Sequence, residues 1–413
     1  MPGEDATKAD RDSRPENTAE GQKALRQALV ARAAELVPLL RASAVRAEQD
    51  RRLPGENLAA LDKAELFRLR TPKRFGGIEA DMRTYTDVVA EIGRGCGSTA
   101  WVVFISTATV WVACHFPEET QREIFGPNPD PRFIGLLAPL STATAVDGGY
   151  RVTGKWPFGS GCLRAHWALL AVPLPKSDGG IEPGIVMMPM SDMTIEDTWY
   201  FAGMRGTGSN TVIAKDVFVS TRRVMPLSGF LAANAIGSDP EAAVYREAFA
   251  ADAIIMLAAP ILGLAQAALE LTLERVNAGN KRIAYSVYGD LRKSPAMQLQ
   301  LAEAASLVET STAIVQRWCD DIADAARAGE ALSFVKRARM RVDLGCAMRG
   351  CREAVNKLLS VQGASAFADA NPLQRIWRDI EFAPRHGLLS PEVPLEIFGR
   401  ALFGDFEVLS PLV

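Results

Sequence analysis

Asn371-Pro-Leu-Gln-Arg-Ile-Trp-Arg-Asp379, continuing as Ile380-Glu-Phe-Ala-Pro-Arg-His386-Gly-Leu-Leu389, is the stretch on which the reading of this chain turns. Arg375, Arg378 and Asp379 stand three and four residues apart around Ile376 and Trp377, so a helix here carries charge on one face and bulk on the other. His386 follows two helical turns after Asp379 and is one of three histidines in 413 residues. Imidazole is the side chain best suited to move a proton near neutral pH. From spacing alone, the plainer reading is a capped surface helix with a packed histidine.

Resemblance changes the weighting. The string PLQRIWRD, preceded by the small-residue turn Gln362-Gly-Ala-Ser-Ala366, resembles the C-terminal flavin-site segment of the acyl-CoA dehydrogenase fold. In the dehydrogenases a similar Arg-Asp is followed eight residues later by the catalytic Glu of a Tyr-Glu-Gly turn. That register puts His386 at the Tyr and Gly387 at the Glu, so the base that would take an acyl thioester's α-proton is absent. A histidine seven residues after the Arg-Asp is similar instead to the flavin-dependent monooxygenases on this fold, the group D two-component hydroxylases of phenols and related substrates.

The resemblance implies an oxygenase component that receives reduced FMN, or FAD, from a separate flavin reductase. Flavin and O₂ would form a C4a-hydroperoxide that hydroxylates a small phenolic or polyketide-like substrate, with His386 deprotonating or orienting the substrate hydroxyl. Two alternatives stay open: an N-hydroxylating, nitrososynthase-like enzyme acting on an amine or amino sugar, and a non-catalytic, acyl-binding relative of the dehydrogenases.

Composition excludes several other classes. A chain 48% hydrophobic and 23% charged can bury a large core, in two or three regions. The formal net charge of −3 leaves no basic footprint for nucleic acid. Six scattered cysteines form no CxxC pair and have no histidine at ligand spacing, which reads as reduced thiols in a cytoplasmic protein without a metal site. Residues 1–22 are rich in charge and proline and read as a solvated tail. The apolar runs Trp101–Cys114 and Phe249–Leu273 are respectively too short and too interrupted for membrane spans, so both read as buried helices and no membrane partner is expected.

Along the chain, helices are expected over Ala24–Gln49, Leu58–Leu69, Asp81–Ile92 and Thr99–Cys114, the last capped by Ser98. Gly93-Arg-Gly-Cys-Gly-Ser98 lacks the spacing of a phosphate loop, and no dinucleotide fingerprint follows a predicted strand, so no NAD(P)H site is expected. From Arg132 to Pro226 the texture is strand and turn, with a hairpin at Asp147-Gly-Gly-Tyr150 and strands at Trp167–Val172, Gly184–Met188 and Thr211–Val219. Long helices follow over Glu241–Arg275, Pro295–Ala328 and Ser333–Gln362. The order matches the acyl-CoA dehydrogenase-like α+β architecture: a helical region over 23–130, a β-barrel or sandwich over 131–228 and a four-helix bundle over 229–413.

Within the β region, Gly154-Lys-Trp-Pro-Phe-Gly-Ser160-Gly161 resembles the turn whose serine faces flavin N5 in these monooxygenases. Read without the resemblance, it is a strand-ending Ser-Gly turn. Trp156 and Phe158 are candidate walls for the isoalloxazine, though aromatics in a strand are more often core. Leu136–Ser141, with Leu137 and Ser141, corresponds by resemblance to the strand whose backbone contacts the flavin pyrimidine. Gly203-Met-Arg-Gly-Thr-Gly-Ser209 reads equally as a tight turn and as the loop beside the flavin.

Arg282, with Lys281 second, matches the basic residue that reaches a flavin phosphate across a subunit interface, since a guanidinium holds two oxygens at once. Gln362, Gly363, Ala364 and Ser365, together with Arg378, would complete the phosphate and ribityl site. A site built from two chains implies at least a dimer and, by family, a homotetramer. His115 and His166 lie in apolar runs and are assigned to packing.

Overall fold

The computed structural model describes residues 19–128, 130–138, 141–176, 178–227, 243–245, 249–279 and 281–410. Of the tail expected over residues 1–22, residues 19–22 already belong to the first helix and the rest lies outside the described residues.

Five helices come first: α1 (Ala19–Asp50), α2 (Gly55–Lys63), α3 (Met82–Gly95), α4 (Gly97–Ala113) and α5 (Glu118–Phe125). Asp81 caps α3, its carboxylate accepting from the Thr84 N–H at 2.7 Å. The second helix starts earlier than its pattern predicts because Pro54 presets the turn into it. It ends at Lys63, before Glu65 enters the left-handed region at φ 61°. Ser98 does not cap α4. The helix begins at Gly97 after Cys96, whose side chain makes no cap bond, and Ser98 is buried in the first turn.

The glycines of the 93–98 segment serve helix packing. A Cβ on Gly93 would stand 3.0 Å from the Pro260 carbonyl oxygen, and one on Gly263 would stand 2.1 Å from that of Ala90. Backbone meets backbone here, where α3 crosses the later helix α6 (Phe249–Asn277).

The middle of the chain forms two four-stranded sheets. Strands β1 (Phe133–Leu136), β2 (Ser141–Val146), β3 (Gly149–Gly159), β4 (Trp167–Pro175), β5 (Ile181–Pro189), β6 (Thr194–Glu196), β7 (Asn210–Ser220) and β8 (Val224–Pro226) arrange as β1-β4-β5-β8 and β2-β3-β7-β6. The β1–β4 pair is parallel and the others antiparallel. Val152, Trp156, Val212 and Ala214 of one sheet pack against Ala168, Leu170, Val172 and Val186 of the other. Leu169, Ile185 and Met187 point the opposite way, onto Val110 and Trp111 of α4. Burial on both faces explains why β4 reads as a continuous apolar run.

Four further helices follow α6: α7 (Pro295–Ala328), α8 (Phe334–Gln362), α9 (Pro372–Phe382) and α10 (Glu392–Leu402). Ser333 caps α8, accepting from the Lys336 N–H. Leu29 and Leu40 of α1, Val88 and Ile92 of α3, Ile254 and Leu262 of α6, Val315 of α7, Leu344 and Leu358 of α8 and Ile380 of α9 belong to one continuous core. Each such side chain contributes about 1.5–3 kcal/mol by leaving water. Among the described residues, Ala251–Asn277 is long and apolar enough to cross a membrane, but it runs through the middle of this core. Five cysteines are buried, Cys346 is exposed, and all six are free thiols.

Candidate active site

The end of β3 is where the sheet becomes a site. Its register with β7 slips between Trp156 and Gly159, a bulge that puts Phe158 at φ 66° with its ring half exposed. The next turn buries Ser160, whose N–H donates to the Phe158 carbonyl at 2.8 Å. Ser160 Oγ lies 2.7 Å from Ser209 Oγ, which lies 2.6 Å from Thr207 Oγ1, and Thr207 Oγ1 donates to the Met204 carbonyl at 2.7 Å. From the opposite side, the Trp101 indole N–H on α4 donates to Ser160 Oγ at 3.3 Å.

The same indole meets His386, with ring centres 6.1 Å apart and planes at 61°. Helix α9 delivers this histidine. Asn371 caps α9, accepting from the Leu373 N–H, and Pro372 occupies its first turn. The helix gives way to a tighter turn at Ala383–Arg385, and His386 follows in extended conformation. Its Nδ1 accepts from the Leu388 N–H at 3.3 Å, which places the proton of the neutral ring on Nε2. The residue is exposed at the surface, yet the protein packed around it desolvates the ring enough to hold its pKa below the ordinary histidine value.

Asp379 departs from the face expected for it. It is buried on the apolar side of α9, and its carboxylate accepts from the Met204 N–H at 2.5 Å, holding the loop that carries Thr207 and Ser209. That loop lies directly on the helix: a Cβ on Gly203 would stand 2.4 Å from the Arg378 carbonyl oxygen and 2.7 Å from Phe382 Cβ. Burial pushes the Asp379 carboxyl up to about 6, against the favourable Met204 hydrogen bond. With the folded pKa above the unfolded one, the native chain binds the extra proton. The resulting stabilisation is complete below about pH 4 and is lost as pH rises through 6. Chemical denaturation at pH 5 and pH 8 should therefore show the parent chain losing about 1 kcal/mol relative to Asp379→Asn. Parallel pH profiles would mean that the carboxyl titrates normally.

Beside Ser160 lies an aromatic shelf. Trp199 and Phe201 stack at 4.2 Å, and Phe158 and Phe382 each approach both rings at 5.7–5.8 Å. Phe158 and Phe201 remain open to solvent, and nothing stands within 4 Å of where a Cβ on Gly387 would be. An open apolar shelf ending in one hydroxyl suits a flat heteroaromatic ring with a polar edge, so the residues present fit a flavin.

The remaining expected residues fall in several places. Trp156 is core, donating across the sheets to the Ala171 carbonyl at 3.1 Å, and is no wall of the site. Leu137 is exposed, and Ser141 Oγ donates to the Ala171 carbonyl at 3.4 Å. Arg378 ties Glu48, the Ala202 carbonyl and Gln374 together. The Gln362 amide is buried between Thr272 and Asn371, at 2.9 Å from each. Gly363, Ala364 and Ser365 are exposed, with Ser365 Oγ donating to the Gln362 carbonyl. Lys281 donates to that same carbonyl, so the basic segment and the small-residue turn meet within one chain. Arg282 is exposed. This surface adjoins the capped end of α9 and His386 the other, roughly 16 Å apart along eleven helical residues. His115 bonds to the Trp111 and Tyr245 carbonyls, and His166 Nδ1 accepts from the Arg132 N–H.

Sequence reasoning missed Trp101, Thr207 and Ser209 as members of the site. The glycine-rich loop was the signal for Thr207 and Ser209, while Trp101 carries only the indole N–H that a buried tryptophan must satisfy.

Residues 19–128 match the family described as acyl-CoA dehydrogenase, N-terminal domain, and residues 255–391 match acyl-CoA dehydrogenase, C-terminal domain. The chain is 33% identical over 371 residues to the flavin-dependent monooxygenase oxygenase subunit HsaA of Rhodococcus jostii (strain RHA1), covering 89% of this chain and 96% of that one. It is 32% identical over 399 residues to the oxygenase component of the FADH(2)-dependent resorcinol hydroxylase of Rhizobium sp. (strain MTP-10005), covering 91% and 94%. The solved structure of XiaF from Streptomyces sp., in complex with FADH2 and glycerol, superposes with a TM-score of 0.88 at 34% identity, over 95% of this chain and 98% of that one.

Proposed function

Because the chain belongs to the oxygenase components of two-component flavin-dependent monooxygenases built on the acyl-CoA dehydrogenase fold, we propose that it hydroxylates a phenolic ring in the cleft bounded by Trp101, Phe158, Ser160 and His386. The observation that carries this reading is the Trp101 indole, bonded to Ser160 and in ring contact with His386. It joins the two residues to which the family resemblance assigns chemistry.

Bound reduced flavin supplies the electrons that activate O₂. The chain's own part is to hold and exclude. Phe158 and the shelf behind it cover one side of the ring and keep water from it. Ser160 holds the ring's polar edge. His386, neutral at pH 7, directs Nε2–H toward the substrate oxygen, or takes its proton in the other tautomer. Aromatic walls favour an aromatic substrate over an amino sugar. FAD is the flavin we propose over FMN, because two close relatives are named with FADH2.

Arg282 and the Gln362–Ala366 turn, whose Gly363, Ala364 and Ser365 are exposed and whose Gln362 carbonyl accepts from the neighbouring Lys281, are proposed to hold the phosphates of a flavin seated in a neighbouring subunit's cleft, within a homotetramer of reduced-thiol, cytoplasmic type.

One preparation tests both statements. The purified chain with NADPH, FAD and simple phenols, resorcinol among them, should give no product until a separate flavin reductase is added. Sedimentation should find flavin on the dimer or larger species. Turnover without reductase, or tight flavin binding by a monomer, contradicts the corresponding part.

A further inference from the structure

The hydroxyl chain behind Ser160 has a direction. The Met204 carbonyl can only accept, so Thr207 donates to it. The Thr207 proton is then committed, and the 2.6 Å contact with Ser209 needs the Ser209 proton. That proton is committed in turn, so the 2.7 Å contact between Ser160 and Ser209 uses the proton of Ser160. The Trp101 N–H also arrives at Ser160 Oγ. Four protons therefore point the same way, and Ser160 has none left for the cleft. It keeps one lone pair.

We propose that Thr207 is a positioning residue that fixes this direction, so that Ser160 offers the cleft an acceptor only and the site selects a flavin whose N5 carries hydrogen. The proposal rests on the reading that Ser160 faces N5. Reduced flavin presents N5–H, a donor matched to that lone pair. Oxidised flavin presents a lone pair at N5, and two lone pairs face each other. Reduced flavin is thereby retained and spent flavin released, through side chains that never touch it. The anchor is itself held, since the Met204 N–H is bound by Asp379 and its carbonyl also accepts from the Trp199 indole at 3.1 Å.

The test is the ratio of Kd for oxidised FAD to Kd for reduced FAD, the latter measured anaerobically. Thr207→Val keeps the volume and removes the anchor, freeing Ser209 to turn and Ser160 to donate. The ratio should fall about ten-fold, the effect of one hydrogen bond gained on one side and lost on the other. Ser209→Ala, which frees the Ser160 proton by a second route, should lower it in the same direction, and Thr207→Ser should restore the parent ratio. If Thr207→Val weakens both flavins equally, Thr207 only packs and the proposal is overturned. If Ser160→Ala lowers the ratio while Thr207→Val and Ser209→Ala leave it unchanged, the direction is set elsewhere and the proposal falls, although Ser160 still faces N5. If Ser160→Ala leaves it unchanged as well, the placement of Ser160 at N5 fails and the proposal with it.

Discussion

His386→Ala should slow product formation by roughly 10²- to 10⁴-fold while reduced-flavin affinity stays within about two-fold of the parent. The fold does not depend on this ring. Its hydrogen bonds are a main-chain pair within its own turn and the Leu388 N–H at Nδ1, and its ring neighbour Trp101 is anchored independently by Ser160. What is lost is the group that aligns or deprotonates the substrate oxygen, so reducing equivalents should drain into H₂O₂. In the parent, activity should also decline in acid, at a pH below the ordinary histidine value, because desolvation keeps the ring neutral down to its depressed pKa and acid then protonates it. The alanine variant should lack that acid limb. Ser160→Ala should differ, releasing H₂O₂ at a high rate with or without substrate, since its contact acts on the flavin alone. Full coupled hydroxylation by His386→Ala would make the histidine structural and remove the main support for its assigned role.

Gly263→Val should strongly destabilise the fold. The added Cβ would stand 2.1 Å from the Ala90 carbonyl oxygen and 2.7 Å from Gly93 Cα, both backbone atoms of a packed helix with no rotamer to yield. The α3–α6 crossing must open, and the core residues on either side, Val89 and Leu262 among them, lose contact together. The cost should reach or pass the top of the ~1–3 kcal/mol usual for overpacking. Denaturant titration measures it. A variant within about 0.5 kcal/mol of the parent would mean that the crossing is looser than these distances imply.

How much of this was legible beforehand depends on how local the determinant is. Asp81 before an apolar period, Asn371-Pro372 before another and the Asp147-Gly148 turn each act within a few residues, and each element forms where its signal stands. Ser160 and His386 could be singled out by resemblance, but nothing in their spacing says that one indole joins them. Trp101 was hidden because an aromatic in a buried helix usually just packs. The loop that carries Thr207 and Ser209 could be set beside the flavin by resemblance, but no local signal says which way its hydroxyls point. Asp379 looked like a surface charge because helix periodicity cannot show a distant backbone N–H waiting on the buried side. Of the two alternatives, a binding-only relative gives way to family membership among oxygenases.

The core shared by the two ends of the chain has a consequence for biosynthesis. One apolar face of α3 packs on α1 and the other closes onto α6, which leaves the ribosome on the order of 150 residues later, roughly 10–30 s at ordinary translation rates. In that interval the β segment, whose inter-sheet core is drawn from residues 134–224, can complete itself. The early helices cannot, and the face of α3 that α6 covers is left to water or a chaperone until α6 emerges. The nascent chain thus finishes its centre before its beginning.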